Sequence, residues 1–233
     1  MKAVILAGGL GNRLKPLTDN IPKPLLPIGE KSILEIQIKR LYGQGFSKIF
    51  VATYYKADYV ESFIGDGRRH GLEITFSKEK TPLGTCGPLS LLRKELNEPF
   101  ILMNGDILTT IDFQKLYRFG LDQSSDLTVV TKKIRTPFNF GSVTAKDNLI
   151  VDIEEKPDLE LEILAGIYFL KPAILEHIPD GKYFGIDNLI KKLLAGSLPV
   201  SRYLMKEYWL DIGSMDSYNE AQEAYEEHFK EKR

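Results

Sequence analysis

The chain is predicted to be an α/β protein with a mixed, mostly parallel central sheet. Three observations predict this. Short apolar runs at 4–6, 48–54 (KIFVATY) and 100–104 (FILMN) suit buried strands, stretches with helical spacing separate them, and a glycine-rich turn follows the first strand. After Gly8, Gly9 and Gly11, the segment 33–44 sets Ile33, Ile36, Ile38 and Leu41 at the spacing of one buried helix face. A short helix is expected at 57–65, an alternating strand at 72–77, a helix at 87–96, and the 100–104 strand running into Gly105-Asp106. Beyond residue 126 the texture changes: strands are expected at 127–133, 141–145, 149–154 and 166–170 with little helix between them, which implies a smaller, more antiparallel portion. Helices at 187–194 and 215–229 follow, the last ending in a solvated EEHFKEKR tail.

The chemistry concentrates in MKAVILAGGLGNRLKPLTDNIPKPLLPIGE. Leu6 and Ala7 close the first strand, and Gly8, Gly9 and Gly11 let backbone amides approach an anion with no Cβ in the way. Asn12 and Arg13 follow, the arginine offering a planar fork to phosphate oxygens, and Lys23 adds a point charge between two prolines. This is equipment for a polyphosphate. It is not a P-loop, because no Lys-Ser or Lys-Thr stands at the required offset, and it is not a dinucleotide fingerprint, because Leu14 occupies the place of the third glycine.

The run LAGGLGNRLKPLT with IPKPLLPIGEKSILE resembles the sugar-1-phosphate nucleotidyltransferases, and further matches continue to Tyr218. The resemblance implies a Rossmann-like three-layer sandwich with a smaller antiparallel sugar-binding portion. It implies a single catalytic domain over 1–233, with 1–125 mainly for nucleotide and 126–233 mainly for sugar phosphate. No hexapeptide array is present that would form a C-terminal β-helix, so the catalytic domain alone is expected. The implied reaction is attack by a sugar 1-phosphate oxygen on the α-phosphorus of a nucleoside triphosphate, with pyrophosphate leaving.

By the same resemblance Asn104-Gly105-Asp106 is the metal-binding turn, and Asp211 in YWLDIG is the second ligand of Mg²⁺. Arg13 steadies the leaving pyrophosphate and Lys23 bridges the reacting phosphates, so Arg13, Lys23 and Asp106 are the catalytic candidates. Lys156 of EEKP meets the sugar's phosphate and Glu155 its hydroxyls, while Gly141, Ala165 and Gly166 lie along the sugar ring. Leu164 replaces an asparagine that many members place before the Ala/Thr-Gly pair, which opens an altered or deoxy sugar. The loop with Pro82, Gly84 and Thr85 has the PLGTxGPL form of mannose-1-phosphate guanylyltransferases, so GTP is favoured over dTTP or UTP. Backbone groups of Ala7, Gly8 and Gly84 are expected at the base. A thymidylyl- or uridylyltransferase is the rival within the class, and a nucleotide-sugar sensor or a glycosyltransferase the rivals outside it.

The rest of the composition agrees with that class. With Lys+Arg 31 against Asp+Glu 32, no general attraction to nucleic acid or membrane is expected. The single cysteine, Cys86, forms no internal disulfide and reads as a packing residue, and the absence of a signal-like or membrane-length apolar run predicts a cytoplasmic protein. His70, His177 and His228 sit in no triad-like context, and none is needed, since a phosphate monoester with a second pKa near ~6 is already largely dianionic. The oligomeric state is open, a homodimer being one expectation.

Overall fold

The computed structural model describes residues 1–68 and 71–230; His70 lies outside the described residues. The chain begins with β1 (Lys2–Leu6), followed by a 3-10 turn at Asn12–Leu14, α1 (Leu17–Asn20) and a second 3-10 turn at Lys23–Leu25. Next come β2 (Pro27–Ile28), β3 (Lys31–Ser32), α2 (Ile33–Tyr42), β4 (Lys48–Thr53), α3 (Ala57–Ile64) and β5 (Glu73–Lys78). β6 (Phe100–Asn104), β7 (Ile107–Thr109) and α4 (Phe113–Asp122) lead into β8 (Leu127–Pro137), β9 (Ser142–Lys146), β10 (Leu149–Glu154) and β11 (Asp158–Leu170). α5 (Ile186–Ala195), β12 (Val200–Met205), β13 (Trp209–Asp211) and α6 (Met215–His228) complete it.

The central sheet has seven strands in the order β12-β8-β11-β6-β1-β4-β5. Every neighbouring pair is parallel except the two made by β11, which runs antiparallel to both β6 and β8. The mixed, mostly parallel sheet expected from the sequence is therefore present. β1 shows why both faces are covered: Ala3 and Ile5 point into one core with α2 and α4, while Val4 points into a second core with α5 and Leu89. Helices on both faces make the three layers. A third cluster packs α6 against Leu14, Leu26, Ile28 and β13, tying the carboxyl-terminal helix to the glycine-rich amino-terminal region.

Helix α2 starts where a capping box predicts a start: Glu35 N–H donates to Ser32 Oγ, and Ser32 N–H to Glu35 Oε2 at 2.7 Å. The helix expected at 87–96 is instead a 3-10 segment, Gly87–Leu92. The amides of Cys86 and Gly87 both donate to the Phe184 carbonyl, so the turn is anchored to a distant strap rather than coiled on itself. Strands β8 and β11 run well past the expected 127–133 and 166–170, because their outer halves pair with each other beyond the core. The pattern did not reveal β7, β12, β13 or α4. In α4 the obstacle is Gly120, a weak helix former. A methyl group there would lie 2.2 Å from the Phe169 ring, so close packing on β11 demands it.

Candidate active site

The strand order reverses at β1, whose neighbours β4 and β6 lie on opposite sides, and in open α/β sheets such a switch point opens a crevice beyond the carboxyl ends of the strands. A cleft of about 290 Å³ lies there. Of the residues singled out from the sequence, Leu6, Gly8, Gly9, Pro82, Gly84, Thr85, Asn104 and Asp106 line it. Leu83, within the same PLGT loop, lines it too, and two lining residues escaped sequence reasoning: Glu79 and Tyr183. A carboxylate three positions before Pro82 was the available signal for Glu79. Tyr183 had none, since only folding brings it beside Gly84.

The two strand ends meet with little tolerance. Gly105 N–H donates to the Leu6 carbonyl at 2.8 Å, and a Cβ on Gly105 would lie 2.4 Å from that same oxygen. Gln37, buried on α2, donates from Nε2 to the carbonyls of Asn104 (3.0 Å) and Ile107 (2.8 Å) and so fixes the turn bearing Asp106. On the other side β11 bulges between Leu164 and Tyr168. Gly166 in that bulge has φ +69°, and a Cβ there would sit 2.7 Å from Asn104 Nδ2, so positive φ and close approach both select glycine. Trp209 Nε1–H holds the bulge by donating to the Ala165 carbonyl at 2.7 Å.

Pairing of β13 with β7 sets Asp211 opposite Ile107, and Ile212 N–H donates to the Asp106 carbonyl at 2.9 Å, so two carboxylates 105 positions apart in the chain become neighbours. Lys23, only 8% exposed, donates from Nζ to Asp106 Oδ2 at 2.5 Å. The other oxygen, Oδ1 of Asp106, is buried without a hydrogen-bond partner. Burial, and secondarily the charge of Asp106, push the Asp211 carboxyl above its usual range against the opposing pull of Lys23 and Arg13. Arg13 is exposed on its 3-10 turn, yet a methyl on Gly213 would lie 3.0 Å from both Arg13 Nη2 and Asp211 Oδ1, so guanidinium and carboxylate flank one glycine.

An orphaned carboxylate oxygen beside a carboxyl held above its usual range fits a divalent cation bound by Asp106 and Asp211. Among the described residues no group of three or more His, Cys, Asp or Glu side chains could hold a metal. Two carboxylates leave a hard divalent cation positions for waters and substrate phosphates.

Some expected contacts are arranged differently. The Ala7 amide donates to the Ala52 carbonyl at 2.7 Å and is not available to a base. The Thr85 hydroxyl accepts from Ile186 N–H at 2.8 Å, so it fastens the loop to the start of α5. Gly11 and Asn12 stand outside the cleft lining, Gly11 with φ +66° accepting from the Thr18 hydroxyl at 2.9 Å. Cys86 is fully buried, and burial raises its thiol to about 12. Gly166 adjoins Asn104 and Ala165 is fully buried, whereas Gly141, Glu155 and Lys156 are all exposed around the β9–β10 hairpin, Gly141 beside Glu155.

Glu79 is placed to meet whatever fills the cleft. Its Oε2 accepts from Leu83 N–H at 2.8 Å, while Oε1 faces Gly8, where a Cβ would approach it to 3.0 Å. Burial raises its carboxyl above the usual glutamate range, opposed by the Leu83 hydrogen bond.

A family model described as nucleotidyl transferase matches residues 2–228. The chain belongs to this family. The chain is 33% identical over 227 residues to a probable mannose-1-phosphate guanylyltransferase 1 of Oryza sativa subsp. japonica, the match covering 94% of this chain and 63% of the rice protein. A UTP–glucose-1-phosphate uridylyltransferase of Synechocystis sp. is 32% identical, over 95% of this chain and 62% of that protein. The chain thus spans less than two thirds of the length of these two relatives. A D-glycero-alpha-D-manno-heptose 1-phosphate guanylyltransferase of Aneurinibacillus thermoaerophilus is 33% identical over 95% of this chain and 97% of its own length. The crystal structure of a putative glucose-1-phosphate thymidylyltransferase from Bacillus anthracis, in complex with a sucrose, matches with a TM-score of 0.81 at 24% identity, covering 100% of this chain and 98% of that one, and shows the shared fold. No helix among the described residues is long and apolar enough to cross a membrane.

Proposed function

We infer that the protein joins a nucleoside triphosphate to a sugar 1-phosphate, releasing pyrophosphate, and that its nucleotide is GTP. The observation that carries the reaction is the meeting of Lys23 and Arg13 with Asp106 and Asp211 at the carboxyl ends of β1 and β6. Joining two anions demands that their charges be cancelled and their atoms aligned, more than it demands a proton acceptor. A phosphate oxygen of the sugar 1-phosphate attacks the α-phosphorus, the bond to the β-phosphate oxygen breaks, and pyrophosphate leaves with the displaced charge. Lys23 holds Asp106 after β6 and packs beside Gly11 of the turn after β1, where its ammonium can face both reacting phosphates once its hold on Asp106 is shared. Arg13 stands at the exposed rim, suited to the departing pyrophosphate. Asp106 and Asp211 would hold Mg²⁺, which when bound supplies positive charge to the phosphate oxygens.

Glu79 favours guanine. That base presents two adjacent N–H donors on one edge, and a carboxylate with an oxygen facing the cleft accepts from them. Uracil and thymine offer a single N–H between two carbonyls, which a carboxylate repels. Guanylyltransferases and a uridylyltransferase stand among the relatives at like identity, so the guanine reading rests on Glu79 and the PLGTxGPL loop. The sugar phosphate is assigned to the half of the molecule carrying Ala165, Gly166, Glu155 and Lys156, with Leu164 denying it one polar contact.

The experiment is pyrophosphate release measured over a panel of nucleoside triphosphates and sugar 1-phosphates. Turnover with GTP and a manno-configured or deoxy sugar 1-phosphate is expected. Turnover with UTP or dTTP but not GTP would sink the guanylyl assignment, and sugar transfer to an acceptor without pyrophosphate release would sink the reaction class.

A further inference from the structure

Three parts of the amino-terminal region meet at Gly11. This residue opens the 3-10 turn Asn12–Leu14 in left-handed backbone, φ +66° and ψ 24°, and its carbonyl accepts two hydrogen bonds, from Leu14 N–H and from the Thr18 hydroxyl, each at 2.9 Å. A Cβ on Gly11 would lie 2.7 Å from the Thr18 Cγ2 methyl and 3.2 Å from Lys23 Cβ, so the glycine is seated between those two side chains. Thr18 is buried at 1% exposure. A buried hydroxyl needs a partner, and this one reaches back seven positions to the turn, whereas a helical threonine commonly bonds the carbonyl four positions back.

The helix that carries Thr18 is fixed from outside as well. Lys56, in left-handed backbone at φ +51°, donates from Nζ to the carbonyls of Asp19 and Asn20, both at 2.7 Å, and so ties the end of α1 to the segment after β4. Leu14, at the far end of the turn, is buried in the cluster with Leu26, Ile28 and Ile33. Arg13 stands between two held points, the Gly11 carbonyl and the Leu14 side chain, with its guanidinium beside Gly213.

We propose that Thr18 is a positioning residue for the reaction: its hydroxyl, by holding the Gly11 carbonyl, sets the direction in which the turn presents Arg13 and the surface against which Lys23 packs. It rests on the functional reading above only in that Arg13 and Lys23 grip a polyphosphate. Thr18 acts through them, from the buried side of Gly11. Two bonds on one carbonyl fix its direction as well as its distance, and with Leu14 N–H alone the start of the turn can pivot. The guanidinium lies at the end of a long side chain, where a small pivot becomes a large displacement, and a misplacement of about 1 Å can cost ~100-fold in rate.

Two substitutions separate the hydroxyl from the methyl. Thr18→Val keeps the methyl beside Gly11 and deletes the donor, while Thr18→Ser keeps the donor and deletes the methyl. In the reverse reaction, run with pyrophosphate and the nucleotide sugar formed from the substrate panel, Thr18→Val should raise KM for pyrophosphate ~10-fold or more. KM for the sugar 1-phosphate in the forward reaction should hold, and Thr18→Ser should rescue the pyrophosphate KM. Melting temperatures should run the other way, valine at or above serine, because the methyl packs against Gly11. Titration calorimetry with inorganic pyrophosphate and Mg²⁺ reads the grip without turnover. Tighter binding by the wild type than by Thr18→Val supports the proposal even if no substrate of the panel reacts, in which case the reaction class alone fails. Equal affinity in the two, no binding by the wild type, a Thr18→Ser variant as impaired as Thr18→Val, or activity that follows melting temperature overturns it.

Discussion

Replacing Glu79 by glutamine isolates the base-reading claim, because it changes one atom and almost no volume. Oε2 accepts from Leu83 N–H at 2.8 Å, and in the variant this amide still requires an acceptor. The glutamine oxygen therefore turns toward Leu83, and the new NH₂ turns into the cleft, where Oε1 faced Gly8. Guanine's two donors then meet a donor. A hydrogen bond to a charged acceptor contributes ~1.5–3 kcal/mol, so losing it and adding donor–donor opposition costs about 3 kcal/mol, roughly 100-fold in kcat/KM for GTP at ~1.4 kcal/mol per decade. UTP and dTTP, whose carbonyls accept from an NH₂, should lose nothing or gain. The assay is initial-rate pyrophosphate release with each nucleotide at fixed sugar 1-phosphate. An equal fall for every nucleotide, or GTP turnover close to wild type, would refute the reasoning. Because the Glu79 carboxyl is raised by burial, GTP selectivity in the wild type should also decline as pH falls, beginning above the ordinary glutamate range, and the variant should lack that decline.

Three further outcomes follow from the same geometry. Gly105→Ala drives a Cβ to 2.4 Å from the Leu6 carbonyl oxygen, a backbone atom that cannot swing away; overpacking of this kind costs ~1–3 kcal/mol, so the melting temperature should drop by several degrees, and an unchanged value would contradict the packing. Asp211→Asn removes a charge that the fold disfavours, so it should raise the melting temperature of the metal-free protein by a few degrees while abolishing pyrophosphate release. The sign is set by protons: with its folded value above its unfolded one, Asp211 binds more protons in the native state between the two, so wild-type stability falls as pH rises through that window, and the variant should lose this part of the slope in a pH series of melts. Lys156→Ala should raise KM for the sugar 1-phosphate at least tenfold with little change for the nucleotide, whereas a change confined to the nucleotide would remove Lys156 from the sugar-phosphate subsite.

Legibility in the sequence followed the range of the interactions. β1, β4, β6 and α2 were readable because their signals are local: apolar runs, a capping box, a glycine turn. The outer lengths of β8 and β11 were not, since their pairing compensates for residues that look like polar loop. Helix α4 was hidden because Gly120 answers to Phe169, forty-nine positions away. At the cleft, Gly8, Gly84, Asn104 and Asp106 were identifiable from motif, but Gln37, which steadies the Asp106 turn, looked like any polar residue on a helix. Thr85 looked like a ligand group, and its hydroxyl is engaged by the start of α5.

By itself the sequence determined the class of sheet, the family resemblance and the set of charged groups, because strand, turn and motif chemistry are written within a few residues. Which groups share a space was decided by the tertiary structure alone. The β13–β7 pairing brings Asp211 to Asp106, the strap at Phe184 sets Tyr183 beside Gly84, and Glu79 enters the cleft from the end of β5, two strands from β1. Burial and mutual repulsion act only at such distances, so the raised carboxyls of Asp211 and Glu79 and the orphaned oxygen of Asp106 are properties of the fold, not of any segment of the chain.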